Sequence, residues 1–304
     1  MSRQPVRITR RQARAQINHF GRPLALYIVL FSLLRYGLPF LSEHFSLGLD
    51  SELFCLLASM GAYLFMALIP FSIAAYFLKL DIRDYMHSPR LRIDRTLGLV
   101  CIGIGVYLMV MSISTLFYFF FRTQSVSYSF IGQWNTEANV VKNILYFFLL
   151  VIIRPLCEEY IFRGIIQRQL GHYGRYFGVL GSAFLYMVTQ TDLVLAMQAF
   201  VIGWYLSLIT LRYHSIRPAL TVHIALSFFL WVLESVPGHF LWLVTIFMIV
   251  VYIGAALFVL QWRSDTNRIR YGATEGKLWG ILLSSASIVL CMILFIANIV
   301  LSLR

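Results

Sequence analysis

Glu158, Glu159 and Arg163 fall within six residues of one another, in the run Cys157-Glu-Glu-Tyr-Ile-Phe-Arg-Gly164, inside a long apolar stretch. Arg154 lies one helical turn upstream, and His223 sits in a later apolar run, Ala219-Leu-Thr-Val-His-Ile-Ala-Leu226. An uncompensated charge at a bilayer centre costs about 2.5–3.5 kcal/mol on insertion scales, so such groups face a polar cavity or a partner. Two adjacent carboxylates in one membrane helix are hard to explain by packing. Carboxylate and imidazole together suit acid–base work: a carboxylate in a low-dielectric site holds its proton more tightly and acts as a base near neutral pH.

Helical spacing sorts the cluster. Residues four apart share a face, so Glu159 can pair with Arg163 and Arg154 with Glu158. The two glutamates themselves lie about 100° apart around the axis. The simplest division makes Glu159–Arg163 a structural pair and leaves Glu158 facing a cavity. Pro155 removes a backbone donor and predicts a kink beside the carboxylates, a way to open a wet pocket. A purely structural network of all four charges, pinning helices together, is the alternative.

The elements that must hold these residues are membrane helices. Of the 304 residues, 60% are apolar and only 12% charged, against about 45–50% and about 25% in soluble domains. The expected fold class is all-α, a polytopic transmembrane helical bundle of about 8–9 spans. Candidate spans fall near 24–42, 52–79, 97–121, 139–157, 176–191, 193–211, 217–234, 239–261 and 278–302, each near the ~20 residues a crossing needs. They group into a basic cytoplasmic tail (1–22), N-terminal helices (23–138), core helices (139–235) and C-terminal helices (236–304). The first apolar run has no cleavage site after it and reads as an uncleaved anchor.

The net charge of +12 is no sign of nucleic-acid binding, because the basic residues cluster between apolar spans. With the tail inside, the loops at 80–96, 163–175, 212–217 and 262–277 carry most of the arginines, and those at 43–51, 122–138, 192 and 235–238 hold only Arg122. That bias predicts an integral membrane protein, in the plasma membrane, with a cytoplasmic N-terminus. The basic tail also suits anionic membrane lipid. The cysteines, Cys55, Cys101, Cys157 and Cys291, stand singly in apolar runs and read as structural thiols. Arg35, inside the first span, is expected to snorkel or pair and receives no role. His172, His214 and His239 fall in or beside loops and read as solvated or interfacial.

The run Glu158-Glu159-x-x-x-Arg163-Gly164 resembles the first motif, E-E-x-x-x-R, of the CAAX-processing and bacteriocin-processing (CPBP, Abi) membrane endopeptidases. The stretch Phe200-x-x-Gly203-Trp-Tyr-Leu206, followed by Leu211-Arg212-Tyr-His-Ser215-Ile216-Arg-Pro218-Ala219-x-x-x-His223, looks like that family's approach to its third motif, H-x-x-x-N. The resemblance covers about residues 140–235. It implies a CPBP-like core, with Glu158 as the carboxylate that activates water and Glu159 with Arg163 supporting it. His223 would polarise the scissile carbonyl or bind a metal. A donor aimed at that oxygen stabilises the developing oxyanion.

Two positions depart from the family pattern. The second motif, F-x-x-x-H, reads Tyr186-Met-Val-Thr-Gln190, and the third ends in Ser227 where asparagine belongs. Glutamine donates hydrogen bonds but is a poor transition-metal ligand and no base. Gln190 therefore weighs against a divalent metal, and no cofactor is predicted with certainty. Serine is shorter but still donates. Asp192 is a candidate ligand, with a solvated loop acid as the plainer reading. A straight 176–191 span would put Gln190 near the outer end, away from Glu158 and His223.

The function expected is intramembrane hydrolysis of a peptide bond in a membrane-associated peptide or protein, with Glu158, Glu159, Arg163, His223, Gln190 and Ser227 forming the site. One alternative is a catalytically impaired member that scaffolds or regulates a partner membrane protein. Another is a proton-coupled transporter, since buried Glu/Arg pairs also serve as proton relays.

Overall fold

A computed structural model describes residues 10–45, 52–81, 93–121, 140–235 and 275–302, with a few isolated positions between. All of its regular structure among the described residues is helical. Helix α1 (Arg10–Ser32) runs through a π-helical turn, Leu33–Gly37, into α2 (Leu38–Phe45). Helix α3 (Glu52–Gly61) passes through a second such turn, Ala62–Ala67, into α4 (Leu68–Phe77). Helix α5 covers Ile93–Phe121.

The segment carrying the two glutamates is one continuous helix, Val140–Gly171, of 32 residues. Within it lie α6 (Val140–Phe147), α7 (Arg154–Glu159) and α8 (Arg168–Gly171), separated by π-helical stretches at Phe148–Ile153 and Tyr160–Gln167. Then follow α9 (Arg175–Val188), α10 (Leu193–Tyr213), α11 (Ile216–Ser235), α12 (Glu275–Leu283) and α13 (Ala286–Ser302).

The bundle has two apolar centres. The larger joins α1, the α3–α4 helix, the Val140–Gly171 helix, α9 and the C-terminal helices, through residues such as Phe20, Phe71, Phe162, Ile165 and Leu282. The smaller joins α5, α10 and α11 through Leu99, Leu206, Ile209 and Val222. Outward faces carry Leu26, Phe65, Ile69 and Ile293, all exposed, as helices against lipid do.

The span count differs from the sequence expectation. Six helices among the described residues are long and apolar enough to cross a membrane, or seven if the pair bent by 69° between Leu283 and Ala286 is one crossing. The proposed 239–261 span falls almost wholly outside the described residues. The proposed 176–191 span is α9, with only 14 residues, or about 21 Å of helix at 1.5 Å per residue, short of the ~30 Å hydrocarbon core. Residues 10–22, expected as tail, are already helical and bury Ala13, Ile17 and Phe20. Residues 163–171, expected as a basic loop, continue the helix.

Pro155 does not break its helix. It sits at the start of α7, immediately after the Phe148–Ile153 π stretch. Proline cannot donate, and its ring crowds the carbonyl one turn back; a widened π turn relieves both constraints. Such turns inside α-helices recur at functional sites, and here they flank the glutamates.

Candidate active site

Three elements position the site. The Val140–Gly171 helix supplies Arg154, Glu158, Glu159 and Arg163; α9 and the turn after it supply Tyr186 and Gln190; α11 supplies His223. Small residues let these helices approach. At Gly178 a Cβ would lie 2.8 Å from Gly171 Cα and 2.9 Å from the Gln167 carbonyl, and at Gly203 it would lie 3.0 Å from the Tyr186 ring. Side-chain bonds fix the register: Ser182 Oγ donates to the Phe162 carbonyl at 2.8 Å, and Gln167 Nε2 to the Ser207 carbonyl at 2.8 Å.

Glu158 is 1% exposed. Arg154 Nε donates to its Oε1 at 2.9 Å, and the Tyr186 hydroxyl donates to its Oε2 at 2.6 Å. His223 Nε2 lies 3.6 Å from that same Oε2, beyond direct hydrogen bonding.

Glu159 faces elsewhere, as the helical spacing requires. Its Oε1 lies 2.8 Å from His223 Nδ1 and 2.9 Å from Arg163 Nη1. Arg163 is fully buried; its Nη2 donates to the Gly203 carbonyl at 3.1 Å, and its guanidinium stands 5.2 Å from the Tyr186 ring centroid. Nη1 is close to Oε1 but poorly directed at it, so charge attraction dominates that contact. The Glu159–Arg163 pair expected from the sequence is present, and His223 joins it. The imidazole thus stands between both glutamates, with Nδ1 toward Glu159 and Nε2 toward Glu158.

Glu158 also lines a cavity of about 120 Å³. Its wall includes Tyr27 from α1, Arg35 from the Leu33–Gly37 turn, Tyr63 from the Ala62–Ala67 turn, Arg154, and Thr189, Gln190 and Thr191 from the α9–α10 turn. The short α9 removes the distance expected between Gln190 and Glu158: the turn arrives beside the carboxylate. The Gln190 amide donates to the Tyr186 carbonyl and to Thr189 Oγ1, both at 3.3 Å. His223 is not among the lining residues. Ser227, one turn after His223, is buried.

Asp192 is not a solvated loop acid. It is 7% exposed and caps α10, its Oδ1 accepting from Val194 N at 2.7 Å and Leu195 N at 3.3 Å. Its place just before an apolar helical run is the signal that identifies a cap. Tyr186 and Arg35 are the functional candidates that sequence reasoning missed. Neither spacing nor residue type marks a tyrosine in an apolar helix as a carboxylate's donor. Arg35 was expected to snorkel or pair; its Nη1 donates to Thr191 Oγ1.

No group of three or more His, Cys, Asp or Glu side chains among the described residues is arranged to hold an ion. Both His223 nitrogens face carboxylates, and Gln190 turns its amide to Tyr186 and Thr189.

The segment that builds this site decides the comparison with known proteins. Residues 140–229 match the type II CAAX prenyl endopeptidase family, Rce1-like. The Rce1-like segment contains Glu158, Glu159, Arg163, Tyr186, Gln190, His223 and Ser227, and leaves out α1–α5 and the C-terminal helices. At family level the match supports a CAAX-protease-like intramembrane endopeptidase, and the six or seven helices among the described residues that are long and apolar enough to cross a membrane agree with an integral membrane protein. No curated protein and no solved structure matches the chain.

Proposed function

We propose that the protein hydrolyses a peptide bond of a membrane-associated substrate, with Glu158 as general base. The observation that carries this reading is that Glu158, in the Rce1-like segment, lines a cavity inside the helical bundle while held by Arg154 and Tyr186. Glu158 takes a proton from water as the water oxygen bonds to the scissile carbonyl carbon. The carbonyl oxygen becomes an oxyanion, within reach of the donors that line the cavity, Arg154 and Gln190. Collapse breaks the C–N bond, and the proton on Glu158 passes to the leaving nitrogen. His223, tied through Nδ1 to Glu159, and Glu159, tied to Arg163, are positioning residues that fix the face of Glu158 away from the cavity. No step is assigned to Ser227.

The proposal includes an N-terminus on the cytoplasmic side of the plasma membrane, supported by the arginines of residues 1–22 and 80–96 and the lack of Lys and Arg at 43–51. It also divides the chain into a core at 139–235 flanked by helical N- and C-terminal regions, supported by where the family match falls.

One observation favours a second reading. Both Glu158 oxygens are already engaged, one by Arg154 and the other by Tyr186, as in a structural ionic network of a non-catalytic scaffold. The experiment that separates the two is cleavage of lipidated and unlipidated peptides by detergent-purified protein, wild type against Glu158→Ala. Cleavage lost in a folded variant supports the peptidase. Folded wild type that cleaves nothing overturns it in favour of the scaffold.

A further inference from the structure

The cavity beside Glu158 is not built by the Rce1-like segment alone. Tyr27, Phe31, Arg35, Ser59 and Tyr63, all N-terminal to that segment, line it together with Glu158. Several polar groups of the lining are committed to the protein itself. Arg154 Nε donates to Glu158. Ser59 Oγ donates to the Cys55 carbonyl and Thr189 Oγ1 to the Tyr186 carbonyl, both at 2.7 Å. Arg35 is held by Thr191, and the Gln190 amide would have to leave Tyr186 and Thr189 to reach a substrate. An oxyanion forming beside Glu158 calls for a donor already aimed at it.

Tyr63 meets that requirement from the second helix. It is 8% exposed and lies in the π-helical turn Ala62–Ala67, a local widening of the kind that recurs at functional sites. Its carbonyl accepts from Cys157 Sγ at 3.6 Å, which ties this turn to the residue before Glu158. Its side chain interacts electrostatically with both Arg154 and Glu158, so it reaches the charged pair. The ring is held from α1, with centroids 4.6 Å from Phe31 and 6.3 Å from Tyr27, contacts that fix an aromatic side chain. The Tyr27 and Tyr63 hydroxyls also interact with each other. A hydroxyl that accepts one hydrogen bond still has its own proton to give.

We propose that Tyr63 is a catalytic residue supplied from outside the Rce1-like segment, its hydroxyl donating to the scissile carbonyl oxygen as that oxygen becomes an oxyanion. This rests on the peptidase reading of Glu158. The proton stays on the tyrosine throughout; the hydrogen bond shortens as negative charge develops and relaxes when the C–N bond breaks. Tyr27 and Phe31 are positioning residues that hold the ring.

The test has two arms, both on detergent-purified full-length protein. The first is cleavage of a lipidated peptide. Tyr63→Phe keeps the ring, and it is expected to lower kcat by about a hundredfold, the scale of one oxyanion donor, with little change in KM or melting temperature. Replacing Tyr63 by a ring-fluorinated tyrosine, a stronger donor, should keep kcat far above that of Tyr63→Phe. The second arm needs no turnover: binding of a peptide trifluoromethyl ketone, which water converts to a tetrahedral diol, against the planar methyl ketone. Wild type should prefer the first, and Tyr63→Phe should lose that preference without weakening the second. Folded Tyr63→Phe with wild-type kcat overturns the proposal, as does a loss that appears only in KM or only with a lowered melting temperature. A Tyr63-dependent preference in protein that cleaves nothing would sink the peptidase reading and leave the donor standing. Glu158-dependent cleavage that ignores Tyr63 would do the reverse.

Discussion

The Tyr186 hydroxyl donates to Glu158 Oε2 at 2.6 Å, while its ring lies against the Arg163 guanidinium, 5.2 Å from centroid to Cζ. One side chain from α9 thus touches both charged pairs of the Val140–Gly171 helix. Replacing Tyr186 by Phe keeps the ring and deletes the donor. We expect peptidase activity to fall by about ten- to a hundredfold, the effect of losing one hydrogen bond to a charged group. Thermal stability should change little, so paired activity and melting measurements check the division.

Arg163 answers a different question. It is fully buried with Glu159 as its ion partner. Arg163→Met leaves Glu159 charged, buried and short of a cation, a change that costs about 3–5 kcal/mol. The expected outcome is a strongly reduced melting temperature and poor recovery from the membrane. Glu159→Gln with Arg163→Met, which removes both charges, should recover much of that loss in the same melting assay.

Asp192 should behave as a helix cap. Asp192→Ala is expected to destabilise by about 1 kcal/mol, and Asp192→Asn by less, because asparagine also caps well. Denaturation of the purified variants measures this. A large activity loss in Asp192→Asn at unchanged stability would instead point to a role in the chemistry.

Gly178 packs directly on backbone, with Gly171 Cα 2.8 Å from where a Cβ would stand. The neighbouring atoms are backbone and cannot turn aside. Gly178→Ala should cost about 1–3 kcal/mol by overpacking, read as a lower melting temperature.

How far the sequence foretold this arrangement depends on the range of the signal. Glu159–Arg163 and Arg154–Glu158 are four-residue spacings on one helix, and both pairs form. His223 stood out as an imidazole inside an apolar run, but its contact with Glu159, 64 residues away in the chain, was not legible there. Tyr186 and Arg35 were not legible, because their partners lie 28 and 156 residues away in the chain and no local periodicity encodes such contacts. The 176–191 span was overdrawn because hydropathy alone does not stop at Val188. The stop comes from Asp192, whose side chain binds the amides of the next helix and starts it afresh. Hydropathy likewise gave no warning that the helix would run past Arg163 to Gly171, since that arginine is buried by tertiary packing and not by its neighbours in sequence.

The proposed function stands or falls on whether Glu158 activates water for attack on a peptide bond. The most direct measurement is cleavage of a prenylated peptide by purified, folded protein in heavy-oxygen water, with the products weighed by mass spectrometry. A heavy oxygen is expected in the new C-terminal carboxylate from wild type, and no product from Glu158→Gln that retains the wild-type fold. Labelled product formed equally well by Glu158→Gln, or none from folded wild type, would contradict it.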